Sequence, residues 1–510
     1  MIPITRRQAL GEMLAGAALL ATGCDIGGAV AGRPATGTAS ETGAGSTLQR
    51  TWIDRAGTGI LERGPGEPLI ARTELGPQRA ATGVLAALAH VTDAHVLDAS
   101  SPARVPFLAR IGAPFQSTFR PQETLTMHVL DGAARAVGAF RPDAVIQGGD
   151  LIDNVQDNEL QQALAVLRGG PVHPGSGRRG YYGVQSIGNP DPFYYRPDID
   201  APRHPRLLQA AVRPFIGQGL NTPWYPVLGD HDILVAGELT PTARTRALAV
   251  GDQALWELPA ELPLPAGTPL TNGGSPDGPP SPALVNNFLA QALAGPKVRV
   301  PPDASRRELD PGEVVARLRR SSRINDNGRE RLDYHADIGP HVRLIVLDLA
   351  RRDGGSGGIV APGQTEWLAS ELAKARDRWV LAISHQPLSE SEGGDQLLEQ
   401  LDRHPRVIAA LAGHTHRNLI EPRPTAAGGY WLINTASLID YPQQARALLV
   451  RSTAGGGVAI ETWMLDHVFP GSLGTISREL SFLDAQGGRP QGFAGGRLDR
   501  NVVLYRGAIG

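Results

Sequence analysis

The chain has 510 residues, more than a single core ordinarily holds, which predicts either one large domain with insertions or two domains. Its 49 basic and 51 acidic residues leave a formal net charge of −2, so no global field holds nucleic acid or steers polyanions. The single cysteine, Cys24, excludes an internal disulfide framework and a cysteine-based metal site in the folded body. Because the net charge is close to zero, we expect no stable nucleic-acid complex.

Residues 1–24 have the pattern of an export signal. The pair Arg6-Arg7 precedes an apolar stretch from Leu14 to Leu20 that is too short to span a bilayer. Ala21-Thr22-Gly23 then leads to Cys24, and the whole is similar to a twin-arginine signal ending in a lipobox. We expect export by the twin-arginine route, with a doubly acylated Cys24 as anchor at the outer face of the cytoplasmic membrane or in the cell envelope. The alternative is an ordinary cleaved signal with an incidental cysteine.

Composition divides the rest of the chain. Residues 25–50 are dominated by Gly, Ala, Ser and Thr, which bury too little surface to fold, and this predicts a flexible linker. The main domain is predicted to span residues 51–470. Pro- and Gly-rich stretches at about 169–221 and 236–334 interrupt it, and loops of this length are typical of functional insertions beside a site. Residues 471–510 are expected to pack on the domain as an extension.

Short apolar runs that end in polar residues predict buried strands that lead into functional loops. Six such runs are Val84 to Val91, Asp143 to Ile146, Tyr225 to Leu228, Arg343 to Leu349, Trp379 to Ile383 and Val407 to Leu411. Gln364 to Ala375 has helical spacing, and Arg500 to Tyr505 predicts an edge strand. The alternation of strands with helical stretches indicates an α/β architecture with functional side chains at strand ends.

Four polar clusters and one isolated histidine follow these runs. They are Asp93-Ala94-His95, Gly149-Asp150, Gly229-Asp230-His231-Asp232, Gly413-His414-Thr415-His416, and His385. Alternate residues of an extended segment point the same way, so Asp-x-His and His-x-His each present two donors on one face. Two metal ions about 3.5–4 Å apart can activate a hydroxide and clamp a phosphoryl group, and they need a bridging carboxylate with oxygen and imidazole donors on each side. These clusters contain every side chain of such a site.

In this order the clusters resemble the calcineurin-like metallophosphoesterases, and the resemblance covers Asp93 to His416. The sequence from His90 to Arg104 is similar to that of a secreted bacterial branch of the superfamily. The resemblance implies an α/β fold, a four-layer αββα sandwich of two mixed sheets with the metals at the strand ends, here carrying two long insertions. It also implies roles for the polar side chains: Asp93, His95 and His416 hold the first metal, Asp230, His385 and His414 the second, and Asp150 bridges. His231 would contact the phosphoryl group and protonate the leaving oxygen, with Asp232 orienting its imidazole.

Asp230 departs from the family pattern, which usually has Asn at this position. Asp93, Asp150 and Asp230 against two divalent ions leave one positive charge, where Asn would leave two. A less positive site attracts a doubly charged monoester less strongly, so we expect a preference for diesters or a site with one trivalent iron. The alternative is that Asp230 weakens catalysis. Asp153 stands where purple acid phosphatases carry a metal-bound Tyr, and we interpret it as a turn residue or a partner of a ligand.

The expected function is that of an exported binuclear phosphoesterase, which hydrolyses a small phosphomonoester or phosphodiester by attack of a metal-bridged hydroxide. Ligation by nitrogen and oxygen alone fits two divalent or mixed-valence ions of Mn, Fe or Zn. One alternative is a non-catalytic envelope binding protein that retains the fold. The other is a nuclease of the same superfamily, against which the near-neutral charge argues.

The remaining polar residues receive less specific predictions. His90 lies within a predicted strand and is interpreted as a hydrogen-bonded core residue. Asp98 and Asn154 either orient metal ligands or have no part in the site. Histidines without ligand spacing are predicted to lie on the surface, namely His173, His204, His335, His341 and His404.

Overall fold

The computed structural model describes residues 39–111, 118–257, 295–325, 330–375, 377–484 and 493–509, so the predicted export signal and Cys24 lie outside the described residues. The helices are α1 (Thr126–Phe140), α2 (Asp157–Arg168), α3 (Leu207–Ala211), α4 (Ala243–Val250), α5 (Pro311–Ser322), α6 (Gln364–Lys374), α7 (Gly394–Asp402) and α8 (Ser472–Phe482). The strands are β1 (Arg50–Ile53), β2 (Glu62–Pro65), β3 (Ile70–Leu75), β4 (Ala81–Val91), β5 (Ala144–Gln147), β6 (Pro171–Val172), β7 (Phe215–Ile216), β8 (Trp224–Pro226), β9 (Gln253–Leu255), β10 (Lys297–Arg299), β11 (Tyr334–Ile338), β12 (Val342–Leu347), β13 (Trp379–Ser384), β14 (Val407–Ala412), β15 (Leu419–Arg423), β16 (Tyr430–Asn434), β17 (Gln444–Thr453), β18 (Val458–Asp466) and β19 (Val502–Arg506).

The first large sheet has seven strands in the order β3-β19-β18-β17-β4-β5-β8. Strands β4, β5 and β8 are parallel to one another, whereas β4 pairs antiparallel with β17 so that His90 lies opposite Arg446. The carboxyl ends of β4, β5 and β8 therefore meet at one edge of this sheet.

The second large sheet has six strands in the order β11-β12-β13-β14-β16-β15. Strands β12, β13, β14 and β16 are parallel, and β11 and β15 are antiparallel edges. Every residue of β12, β13 and β14 is buried, which explains why these strands are continuous apolar runs rather than alternating ones.

The two sheets form the middle layers of a four-layer sandwich. Leu344, Leu381 and Ile433 on one face of the second sheet share a core with Leu88 and Leu448 of the first, and helices α1 and α2 contribute to the same core. The opposite face of the second sheet packs on α6 and α7 in a separate core. The predicted αββα sandwich of two mixed sheets is confirmed.

The six predicted strands and the helix from residue 364 are present, with ends shifted by a few residues. One prediction for the carboxyl-terminal segment is wrong, and one element of it was missed. Strand β19 is not an edge strand, because β3 pairs with its far side. Helix α8 was not predicted, and it packs its Leu480 against Leu125 and Leu207.

The predicted linker of residues 25–50 is too long at its carboxyl end. The Ser40 amide donates to the Phe140 carbonyl, and Thr47 is fully buried with its hydroxyl donating to the Met464 carbonyl. A few well-placed hydrogen bonds to α1 and β18 hold this stretch on the domain, although its composition is that of a tether.

Both predicted insertions contact the segment that follows the first polar cluster. Asp98 accepts hydrogen bonds from Ser176 of the first insertion and from Arg306 of the second, the latter at 3.1 Å. Asp98 therefore anchors the insertions and does not touch the metal-ligand candidates. Within the described ranges, no helix combines the length and the apolar character needed to cross a membrane.

Candidate metal centre

The strand ends bring the polar clusters together. Asp93 and His95 follow β4, Asp150 follows β5, and Asp230 follows β8 in the first sheet. In the second sheet His385 follows β13, and His414 and His416 follow β14. The carboxyl ends of neighbouring parallel strands share an edge, so residues more than three hundred positions apart meet in one place.

The seven ligand candidates form two groups whose ligand atoms lie within 4.8 Å of one another. We call Asp93, His95 and His416 the first cluster, and Asp230, His385 and His414, together with Asp150, the second cluster. Asp150 Oδ2 lies 3.1 Å from His385 Nε2 of the second cluster. It also faces the first cluster, because the same oxygen lies 3.6 Å from His95 Nε2. The grouping is the one that the resemblance implies, with Asp150 between the two.

The candidate ligand atoms within each cluster lie close to one another. In the first, His416 Nε2 lies 3.2 Å from Asp93 Oδ1 and 3.2 Å from His95 Nε2. In the second, Asp230 Oδ1 lies 3.4 Å from His385 Nε2 and 3.3 Å from His414 Nδ1. Six of the seven side chains are buried, and His414 is 23% exposed, which leaves one side of the centre open to solvent.

The backbone at the centre is strained. Five of the seven candidates have a positive φ, which L residues rarely adopt: Asp93, His95, Asp150, His414 and His416, at 53°, 43°, 47°, 61° and 55°. Each such residue costs on the order of 1–2 kcal/mol, and this cost persists only where the surrounding structure imposes it. The strain coincides with the side chains that the motifs predict to be functional.

Two glycines of the motifs allow the backbone to approach these side chains closely. A Cβ atom at Gly149, whose φ is +97°, would lie 2.3 Å from His385 Nδ1. At Gly413 it would lie 2.6 Å from Asp93 Oδ2. Any larger residue would displace a candidate ligand, which gives the glycines of the motifs a steric reason.

The charges of the centre depend on one another. Burial by itself would raise the pKa of Asp93, but His416 and His385 hold it well below its usual range. Burial would likewise lower the pKa of His416, yet Asp93 and Asp440 raise it to about 9. The two shifts favour a protonated His416 imidazole beside an ionised Asp93 carboxylate.

The donor set fits metal ions. Three imidazoles use Nδ1 on a hydrogen-bond acceptor: His385 on the Gly148 carbonyl at 2.8 Å, His95 on Asp153 at 3.0 Å, and His416 on Asp440 at 2.7 Å. In their neutral form each then directs the lone pair of Nε2 into the centre. His385 Nε2 is buried and makes no hydrogen bond of acceptable geometry, although Asp150 Oδ2 lies 3.1 Å from it. Converging lone pairs beside buried carboxylates are what a pair of cations requires.

The imidazole of His231 is oriented by Asp153 and not by Asp232, so this prediction is wrong. His231 Nδ1 donates to the Asp153 carbonyl at 2.8 Å and lies 3.6 Å from the Asp153 carboxylate. Asp232 instead accepts from the backbone amides of Leu151, Ile152 and Gly229. The Asp232 carboxylate therefore connects the loops that carry Asp150 and Asp230.

Asp153 is held in turn by Asn154, whose Nδ2 donates to its carboxylate at 3.1 Å. Of the two roles predicted for Asp153, the structure favours the second, since its carboxylate lies 3.0 Å from Nδ1 of the candidate ligand His95. His90 is fully buried and bonds the Thr435 hydroxyl at 2.9 Å, as predicted for a core histidine. His335 was wrongly assigned to the surface, since it is buried 2.6 Å from Glu371.

Three residues at the centre were missed in the sequence. Gln386 donates from Nε2 to Asp230 Oδ1 at 3.0 Å, and its position next to His385 could have indicated it. Asp440 lies behind His416, and Arg120 lies behind Asp440. Neither belongs to a motif, and no local spacing marks them.

Comparison of the sequence with models of protein families gave no match, and neither did comparison with curated proteins. Among solved structures, the chain is similar to a dimetal phosphatase from Danio rerio, with a TM-score of 0.38 and 13% identity over 76% of this chain and 100% of the other. It is also similar to a structure described as PhoD, with a TM-score of 0.29 and 11% identity over 80% and 73% of the two chains. A third similarity, to the sulfate thiohydrolase SoxB of Thermus thermophilus, has a TM-score of 0.19 and 16% identity over 30% and 28% of the chains.

At these scores the similarities carry no argument about activity, and the fold assignment rests on the sheet order of the chain itself. The described residues have the mixed α/β sandwich and the strand-end cluster of carboxylates and imidazoles that the resemblance to the calcineurin-like metallophosphoesterases implies.

Proposed function

We propose that this protein is a binuclear metal-dependent phosphoesterase that hydrolyses a small phosphomonoester or phosphodiester. The observation that carries the proposal is the convergence of seven candidate ligands into two clusters, with Asp150 of the second cluster also facing the first. When bound, two ions would supply activation of the attacking water and neutralisation of charge on the phosphoryl oxygens. Ligation by oxygen and nitrogen fits Mn, Fe or Zn.

The residues of the chain perform the remaining steps. His231 Nδ1 donates to a carbonyl, so Nε2 faces the centre, where it lies 4.0 Å from Asp230 Oδ2. Burial opposes protonation of His231, but Asp150, Asp153 and Asp230 raise its pKa. From this position the imidazolium contacts the phosphoryl group and delivers its Nε2 proton to the leaving oxygen, which leaves the neutral ring with its proton on Nδ1. The Asp153 carbonyl keeps the imidazole in the required tautomer and orientation.

Asp230 supports a preference for diesters. Its Oδ1 faces His385, His414 and Gln386, so it adds a full negative charge where an amide oxygen would add none. A doubly charged monoester therefore meets a less positive centre than it would with Asn, whereas a singly charged diester loses less.

The substitution Asp230→Asn tests this proposal. Asn keeps an oxygen for the ion and for Gln386, so the metal content should remain full, and turnover of p-nitrophenyl phosphate should rise relative to that of bis-p-nitrophenyl phosphate. Asp337→Asn is the control, since Asp337 pairs with Arg343 on the second sheet. An unchanged or falling ratio with both ions bound contradicts the diester preference.

A loaded wild-type protein that hydrolyses neither ester contradicts the enzymatic function itself and favours a non-catalytic binding platform. Cleavage of supercoiled DNA at a rate comparable to that of the small esters would favour a nuclease instead.

We also propose that the protein is exported by the twin-arginine route and anchored through Cys24. The support is the sequence of residues 1–24, in which Arg6-Arg7, an apolar stretch and Cys24 follow in order. Export of the folded chain would allow metal loading before translocation. Cys24→Ser should move the protein from the membrane fraction to the soluble fraction, and an unchanged distribution would contradict lipid anchoring.

A further inference from the structure

A buried arginine–carboxylate pair lies directly behind the first cluster. Asp440 Oδ2 lies 2.7 Å from His416 Nδ1, and Arg120 donates to both oxygens of Asp440, from Nε at 2.6 Å and from Nη2 at 3.0 Å. Both side chains of the pair are 2% exposed. A two-point contact of this kind fixes the plane of the carboxylate, and the carboxylate fixes the imidazole.

The other imidazole of the first cluster has a similar arrangement. His95 Nδ1 lies 3.0 Å from Asp153 Oδ1, and Arg104 Nε lies 4.0 Å from the other oxygen of Asp153. Glu123 connects the two sides, because its carboxylate pairs with Arg104 and accepts from the Arg120 amide at 3.0 Å. Buried arginine and carboxylate side chains, linked at Glu123 through the Arg120 amide, therefore lie behind both imidazoles of this cluster.

The second cluster has less support. His385 Nδ1 donates to the neutral Gly148 carbonyl. His414 is 23% exposed, and the carboxylate closest to its Nδ1 is Asp230, which is itself a candidate ligand. Each cluster has one carboxylate in addition to the shared Asp150, so formal charge does not distinguish them. The difference lies in what holds the imidazoles.

We propose that the two halves of the centre are inequivalent, with the first cluster as the higher-affinity metal site, and that Asp440 clamped by Arg120 is a positioning residue for His416. A carboxylate behind an imidazole makes Nε2 a stronger donor and removes its rotational freedom before the ion arrives. The inference rests on the metal centre of the proposed function, but it does not require that hydrolysis occurs.

The experiment is a calorimetric titration of the metal-stripped full-length protein with Mn²⁺ alone. Wild type should bind two ions in two resolved steps. Asp440→Asn should weaken the tighter step by about 10–100-fold, the range known for partners of metal-bound histidines, and leave the weaker step within a factor of about two. Asp230→Asn should change the weaker step only.

Two further variants keep the test decisive. Arg120→Lys retains the charge but loses the two-point contact, so it should weaken the tighter step by less than Asp440→Asn does. Asp337→Asn removes one partner of a comparable two-bond pair, with Arg343 at 2.6 and 2.9 Å, away from the centre, and should change neither step. Thermal unfolding of each metal-free variant shows that the fold is intact, and Arg120→Lys decides the matter if Asp440→Asn does not fold.

The inference is overturned if Asp440→Asn weakens the second step, weakens both equally or weakens neither, or if wild type binds two ions with equal affinity. A protein that binds Mn²⁺ in the expected order but hydrolyses no ester contradicts the proposed function and leaves this inference standing. A protein that binds no ion contradicts both.

Discussion

At the scale of single residues, the motif Gly-Asp-His-Asp does not by itself assign the partner of its histidine. Asp232 is adjacent to His231 in the chain, yet its carboxylate turns to the amides of Gly229, Leu151 and Ile152. The partner of the imidazole is Asp153, seventy-eight positions away. Adjacent side chains on a turn diverge, so proximity along the chain is a poor guide to contact.

Asp153→Asn and Asp232→Asn should therefore have different effects. The first should lower kcat by about 10–100-fold with both ions bound, because the imidazoles of His95 and His231 lose a charged neighbour. The second should lower stability by about 1–3 kcal/mol, because an amide cannot accept from all three backbone donors. Steady-state kinetics at saturating Mn²⁺ and urea unfolding measure the two effects. If Asp232→Asn lowered kcat more than Asp153→Asn at unchanged stability, the assignment would be reversed.

At the scale of elements, the strands that carry the site could be predicted because they are buried on both faces and read as apolar runs. At the two ends of the described chain, the folding of residues 39–50 and the place of β19 inside the sheet could not. Residues 39–50 are held by a few specific hydrogen bonds at the first sheet, and β19 pairs with β18 on one side and β3 on the other. Asn501 is the common point, since it accepts from the Thr47 hydroxyl at 3.0 Å and the Met464 amide at 3.1 Å, and donates to the Glu67 carbonyl at 2.9 Å.

Asn501→Ala should lower the free energy of unfolding by about 2–4 kcal/mol, because the buried Met464 amide and the part-buried Glu67 carbonyl lose a partner and the Thr47 hydroxyl loses one of its two. Urea denaturation monitored by tryptophan fluorescence would measure the loss. Gln396→Ala, on the exposed face of α7, is the control and should change stability by less than about 0.5 kcal/mol. An effect of Asn501→Ala no larger than that of the control would show that the amino-terminal stretch is not held through this residue.

At the scale of the whole molecule, each of the two sheets supplies some of the residues of one charged centre. The ionisation of this centre is therefore coupled to folding. Burial opposes protonation of His416, but Asp93 and Asp440 raise its pKa from 6.5 to about 9. A raised folded-state pKa contributes stability that is fully present below pH 6.5 and is lost as the pH rises through about 9. Bound ions replace the imidazole proton and should remove this dependence.

The melting temperature of the chelated protein should consequently fall as the pH is raised from 6.5 to 9, whereas that of the loaded protein should not fall for this reason. Metal binding at neutral pH should release protons, so its calorimetric enthalpy should vary with the ionisation enthalpy of the buffer. Parallel melting curves with and without ions, together with a buffer-independent enthalpy, would contradict the coupling. Scanning calorimetry over this pH range is the measurement.

The sequence by itself determined the candidate ligands and the strands that precede them, because Asp-x-His, Gly-Asp and His-x-His are local patterns and each lies directly after an apolar run. Only the tertiary structure decided which group orients which imidazole. Arg120, before α1, and Asp440, between β16 and β17, are separated by 320 positions and meet only in the folded chain. A hydrogen bond depends on distance and direction between side chains, and neither is recorded in the spacing of residues that are far apart in the chain.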